Sequence, residues 1–221
     1  MNQYPDYKTY RKLYERFYDG GLSTAKFIET AGPIIGKNII DICGGDGRIA
    51  VRAKLMNANF IALVEQETNM IPPETLLFDD LEVAVFNEPV HKAFDYFGEN
   101  NIKFDIAFCQ QAINYWLNET LARSLAQILT PGGIFVFNTF NKKPSQKMTI
   151  KEYKLNDDVC LEINWMIGEM VHHVQIREGV PCHTTIFQWI SPERFVGILK
   201  PYFTVEKKDE YNSALYRCVR K

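Results

Sequence analysis

The stretch 38-NIIDICGGDGRIA-50 decides how this chain is read. Asn38 to Ile42 has the apolar, β-branched character of a short buried strand, and "RIAVRAKLMN" from Arg48 reads as a helix. Between them stand Cys43, Gly44, Gly45, Asp46 and Gly47. Glycines at such a junction let the backbone turn sharply and let a ligand approach where a Cβ would collide. A nucleoside-triphosphate loop is excluded, because Gly47 is followed by Arg48 and Ile49 and not by Lys-Ser or Lys-Thr. A dinucleotide turn competes, since Gly45, Gly47 and Ala50 fit the relaxed G-x-G-x-x-A form with Glu65 at the spacing of a ribose ligand. Asp41 weighs against it: a pyrophosphate at the helix start would repel a carboxylate just before the turn. That carboxylate suits a ligand carrying positive charge or hydrogen-bond donors.

On either side of this stretch, strand-like and helix-like runs alternate. "LSTAKFIETA" (22–31) precedes the turn as a helix capped by Ser23 or Thr24. "NFIALVE" and "LEVAVF" follow as second and third strands, "HKAFDYFGEN" as a helix, "KFDIAFC" as the fourth strand and "NETLARSLAQIL" as a helix. "TPGG" then turns the chain into "IFVFNTF", the fifth strand. Such alternation predicts an α/β fold, doubly wound around a mostly parallel sheet with helices on both faces. Beyond Asn141 the pattern changes to four consecutive strand-like runs, "TIKEYKLN", "VCLEINWMIG", "EMVHHVQIRE" and "CHTTIFQWI", an inserted antiparallel meander after the fifth strand. "SPERFVGILKPYF" is a helix with Ser191 as cap and Pro192 at its first position, and two closing strands form a hairpin.

With an acidic residue before Gly-rich alternate positions, the chain resembles the class I S-adenosylmethionine-dependent methyltransferases. Asp41, Cys43, Gly45 and Gly47 fall on that family's first motif, with Cys43 in place of its first glycine and Gly44 beside it. "VEQETNMI" is similar to the second motif; the resemblance gives Glu65, followed by Gln66, the two ribose hydroxyls and Met70 the adenine ring. Asn87 or Glu88 would meet the adenine amino group, and Gln110 with Gln111, in "FCQQAINYW", would lie near the sulfonium. "LTPGG" before the fifth strand and a reversed last strand complete the likeness. It implies a seven-stranded sheet, mostly parallel with an antiparallel last strand, and S-adenosyl-L-methionine as cofactor. A single methyltransferase domain over 1–221 then divides into N-terminal lid helices (1–31), a cofactor-binding core (38–140), a substrate-side antiparallel insert (148–190) and a closing helix and hairpin (191–221).

Methyl transfer from a sulfonium needs an acceptor lone pair held in line, and a base only if the acceptor carries a proton. The prolines that mark methyltransferases of nucleic-acid bases or protein glutamine after the fourth strand are absent from "QQAINYW", which points to a small-molecule acceptor. His172 and His173 are the candidates for acid–base work, because histidine titrates near neutral pH. Adjacent strand residues point to opposite faces, so at most one of the two faces the pocket, and a structural role for both is the alternative. Met170, His172 and Val174 share the more apolar face; Val171, His173 and Gln175 share the more polar one. Tyr115 and Trp116 are expected at the pocket floor, with at least one of them simply packed. Tyr14 and Tyr18, on an aromatic helical stripe with Tyr10, either lie over the cofactor as a lid or form the buried face of their helix. Glu162 and Trp165 either shape the acceptor site or pack the insert.

Composition sets the outer bounds. With 221 residues, 46% hydrophobic and 24% charged, the chain has the makeup of an ordinary globular protein. A net charge of -2 supplies no broad basic field for nucleic acid. Five scattered cysteines without a C-x-x-C pair fit reduced thiols, with no structural metal. With no apolar signal core in the first residues and no run long enough to span a bilayer, the expected location is cytoplasmic, away from membranes. Oligomeric state is not legible. Two rival functions stand: an NAD(P)-dependent oxidoreductase, and a non-catalytic protein that binds the cofactor for sensing.

Overall fold

The structure, a computed structural model, describes residues 24–67, 70–71, 82–140, 143, 145–155, 158–177, 180–210 and 213–221. Helix α1 (Thr24–Ala31) leads to β1 (Asn38–Ile42), α2 (Arg48–Leu55), β2 (Phe60–Val64), β3 (Val83–Phe86), α3 (Val90–Glu99) and β4 (Phe104–Cys109). A one-turn helix that the sequence pattern does not announce, α4 (Ile113–Trp116), precedes α5 (Glu119–Ile128) and β5 (Leu129–Phe140). The meander follows as β6 (Thr149–Leu155), β7 (Asp158–Ile167), β8 (Met170–Arg177) and β9 (Val180–Gln188). Helix α6 (Pro192–Leu199) and the hairpin β10 (Phe203–Glu210) and β11 (Ser213–Arg220) close the chain.

The seven-stranded sheet has the order β3-β2-β1-β4-β5-β11-β10. Strands β1 to β5 pair in parallel, and β11 runs antiparallel to both β5 and β10. Side-chain alternation explains why both faces are covered: Ile40, Ile42, Ala62 and Val64 point into the cluster built with α3, α5 and α6. Ile39, Ile61 and Leu63 point into the one built with α1 and α2. Phe137 stacks on Tyr216 at 4.8 Å where β5 meets β11, joining the reversed strand to the core. The expected "TPGG" turn lies within β5 as an irregularity. There five steps along β5, from Leu129 to Ile134, face two along β4, from Phe104 to Ile106, and Gly132 takes φ 74°.

The meander is a separate four-stranded antiparallel sheet in the order β6-β7-β8-β9. Its β7–β8 hairpin turns through Gly168 and Glu169, with Gly168 at φ 61°, so Ile167 faces Met170 and every pair behind them is fixed. Ser191 caps α6 as expected, its Oγ accepting the Arg194 N–H at 3.2 Å, with Pro192 at the first position. Among the described residues no helix is long and apolar enough to cross a membrane, and no group of three or more His, Cys, Asp or Glu is placed to hold a metal.

Candidate functional site

After β1 the backbone enters the left-handed region three times, at Cys43 (φ 53°), Gly45 (59°) and Gly47 (71°). Two of these are glycines, which adopt it without strain; Cys43 is not, and its Cβ costs about 1 kcal/mol there. Gly44 is required for a different reason. A Cβ on it would stand 2.4 Å from Leu63 Cδ1 and 2.6 Å from Asp41 Oδ2, so this glycine makes room for the carboxylate beneath it. The Gly47 N–H donates to the Gly44 carbonyl at 3.0 Å, and Gly47 then starts α2.

Asp41 and Glu65, at the ends of adjacent strands, brace this turn from below and from the side. Asp41 is fully buried; its Oδ2 accepts the Ala50 N–H at 3.2 Å, and its Oδ1 has no hydrogen-bond partner among the described residues. Burial pushes its carboxyl up to about 7; the Ala50 N–H opposes this, and the nearby Asp46 and Glu65 reinforce it. Glu65, also buried, accepts the Gly45 N–H at Oε2 and the Glu67 N–H at Oε1, both at 2.9 Å, and burial raises its pKa too. Each of its oxygens retains a lone pair for a ligand hydroxyl. Asp41, Cys43, Gly44, Asp46, Arg48 and Gln110 line a small recess. On its rim Arg48 grips Asp46 through Nε at 2.8 Å and a terminal nitrogen at 2.6 Å. The unpaired Oδ1 of Asp41 fits a donor such as an ammonium, whereas a pyrophosphate here would meet buried carboxylates.

The remaining expected cofactor positions scatter more widely. Gln110 joins the recess, while Gln111 sits in the left-handed region (φ 60°), held there by its N–H donating to Asn138 Oδ1 at 2.7 Å. Asn138 is buried and was missed from the sequence, although an Asn inside the apolar run "IFVFNTF" is itself the signal. Met70 is buried. Gln66, Asn87 and Glu88 are exposed, and Glu88 pairs with Lys92 at 3.6 Å. Tyr14 and Tyr18 lie outside the described residues.

On the acceptor side the expectations separate. Trp116 is the one of the pair that is simply packed: it is buried, with its indole N–H donating to Cys109 Sγ at 3.3 Å and its ring edge-on to Phe94. Tyr115, 43% exposed, packs instead against Phe187 of β9 with ring centroids 5.3 Å apart. That contact identifies the inward face of the meander. Met166, Val171, Gln175, Thr185 and Phe187 on this face are buried, while Met170 on the other is exposed. His173 shares the inward face, and His172 points the opposite way, its ring stacked on Trp165 at 5.0 Å.

No protein-family model matches the sequence, and no curated protein matches it. Solved structures do. An S-adenosylmethionine-dependent methyltransferase from Clostridium acetobutylicum aligns at a TM-score of 0.73 and 13% identity, over 97% of this chain and 98% of its own. An amino pentose methyltransferase from Micromonospora echinaspora, involved in calicheamicin biosynthesis and with S-adenosylmethionine bound, aligns at 0.67 and 12%, over 95% and 97%. The Burkholderia thailandensis 1,6-didemethyltoxoflavin-N1-methyltransferase, with its namesake compound and S-adenosylhomocysteine bound, aligns at 0.60 and 13%, over 97% and 84%. At these identities the likeness is one of fold: the chain has the fold that these S-adenosylmethionine-dependent methyltransferases share.

Proposed function

We propose that this protein is a methyltransferase that binds S-adenosyl-L-methionine over the glycine turn and methylates a small-molecule acceptor. The observation that carries this reading is the buried Asp41 carboxylate beneath the turn, with one oxygen lacking a donor among the described residues. When bound, the cofactor supplies an activated methyl group together with the ammonium and ribose hydroxyls that such carboxylates can receive. Gly45 and Gly47 let it approach the backbone, Cys43 and Gln110 line the recess at the methionine end, and Glu65 accepts from the ribose. Met70 lies against the adenine, with Asn87 or Glu88 beyond it. Since the methyl group is already activated, the chain's task is to orient the acceptor and exclude water. Residues 1–31 serve as the lid with Tyr14 and Tyr18, 38–140 as the cofactor core, 148–190 as the acceptor side with Tyr115 and His173, and 191–221 as the closing unit of one domain.

Glu65→Ala tests the placement. The change removes the acceptor of the ribose hydroxyls and of the Gly45 N–H, and S-adenosylhomocysteine binding is expected to weaken by on the order of 1 to 3 kcal/mol. An unchanged dissociation constant contradicts this role. Methyl transfer from labelled S-adenosylmethionine to a panel of small amines, alcohols, phenols and thiols then separates an enzyme from a sensing protein, which would bind without turnover.

A further inference from the structure

Three polar side chains on the inward face of the meander form a chain that sequence spacing alone does not connect. Asn164 Nδ2 donates to Glu162 Oε1 at 2.7 Å, and Asn164 Oδ1 lies 2.6 Å from His173 Nδ1, directly across the β7–β8 ladder. An ionised carboxylate can only accept, so the amide must turn its NH2 toward Glu162 and its oxygen toward His173. The amide oxygen can only accept as well, so His173 Nδ1 must carry the proton. A neutral imidazole protonated at Nδ1 has its basic lone pair at Nε2.

We propose that Glu162 and Asn164 are positioning residues that lock His173 in this tautomer, so that Nε2 takes the proton from a hydroxyl or amine acceptor during methyl transfer. The setting joins this group to the glycine turn. Across β8–β9 His173 faces Thr185, and two residues further along β9 Phe187 meets Tyr115 of α4, just beyond the β4 end where Gln110 lines the recess. Burial lowers the His173 pKa, with the Glu162 charge opposing, which favours the neutral, proton-accepting ring at neutral pH. Among the described residues, titratable groups on this face are Glu162, with Lys151 of β6 directly opposite it, and the buried Cys160, and α4 adds Tyr115 against Phe187.

Atoms and charge balance in this step. The acceptor lone pair forms the bond to the methyl carbon, the carbon–sulfur bonding pair stays on sulfur, and the acceptor's proton passes to Nε2 and then to water. The imidazolium formed keeps its Nδ1–H on the Asn164 oxygen, with the Glu162 carboxylate behind it. This role rests on the methyltransferase reading, but the tautomer does not, so the two can fail separately. On one 15N-labelled sample, addition of S-adenosylhomocysteine is read from the Gly45 and Gly47 amide signals and tests cofactor binding alone.

The tautomer is read from the ring nitrogens by long-range 1H–15N correlation of 15N-histidine-labelled protein above the His173 pKa. Only four histidines contribute, and His173 is assigned by loss of its signal in His173→Gln or, should that variant not fold, by elimination with His91→Gln, His172→Gln and His183→Gln. Wild type is expected in the Nδ1–H form. Glu162→Gln, which still offers Asn164 an acceptor oxygen, is expected to keep that form, and Asn164→Ala to lose it in favour of Nε2–H. An Nε2–H ring in the wild type, or a pattern unchanged in Asn164→Ala, overturns the proposal.

Discussion

Gly44 and Asp41 compete for the same space, and the fold resolves the competition by leaving residue 44 without a side chain. Gly44→Ala puts a methyl within 2.6 Å of the Asp41 carboxylate and 2.4 Å of Leu63, an overpacking worth about 1 to 3 kcal/mol. Thermal unfolding is expected to move to lower temperature; an unchanged midpoint would show that the turn yields freely. Asp41 itself makes stability depend on pH. Its folded-state pKa of about 7 lies above its ordinary 3.8, so between those values the native protein holds a proton that the unfolded chain has released. Stability therefore falls as pH rises from about 4 to 7 and levels off above, by on the order of 4 kcal/mol for this group. Glu65 adds to the slope with the same sign. Asp41→Asn is expected to flatten it in urea denaturation at stepped pH, and an undiminished slope would place the titration elsewhere. Asp41, the glycines and Glu65 were legible in the sequence because each is a residue type out of place at a strand end. Asn138 shows there only as a polar residue inside an apolar run, and Asn164 not at all, since an amide acquires a role only through the partner that folding sets opposite it.

At the scale of elements, the meander docks on the main sheet's end partly through Phe187 against Tyr115. Phe187→Ala is expected to cost about 3 kcal/mol, within the range for losing a buried aromatic, and to raise amide exchange in β8 and β9 while β1, β4 and β5 stay protected. Equal exchange gains in both sheets would mean that the meander does not open separately. Ser191→Ala removes the cap of α6 and is expected to lower stability by about 1 kcal/mol in chemical denaturation. Strands and caps of this kind follow from period and end residues, so the amino-acid order alone spells them out. Helix α4 is not spelled out: four residues, "INYW", are too few for a helical period to show. Which face of β8 turns inward is likewise unreadable from hydrophobicity. The polar face carrying His173 and Gln175 is the one that packs, because Phe187, clustered with the buried Val171 and Met166, docks against Tyr115 of α4.

For the molecule as a whole, the parallel order through β5 brings the ends of β1, β2 and β4 together, and with them Asp41, Glu65 and Gln110. The reversed β11 between β5 and β10 makes the sheet that of the methyltransferases it superposes on. The alternation of runs and the closing hairpin expose this much in the sequence, while the acceptor surface depends on how a second sheet docks. On the proposed function, the buried carboxylates under the glycine turn select a nucleoside that bears an ammonium over a dinucleotide. Calorimetric titration of the protein with S-adenosylhomocysteine, NAD and NADP tests it most directly. Near pH 6.5 saturable binding of S-adenosylhomocysteine alone is expected, with proton release as the ammonium settles on Asp41. Binding of NAD or NADP without binding of S-adenosylhomocysteine would contradict it.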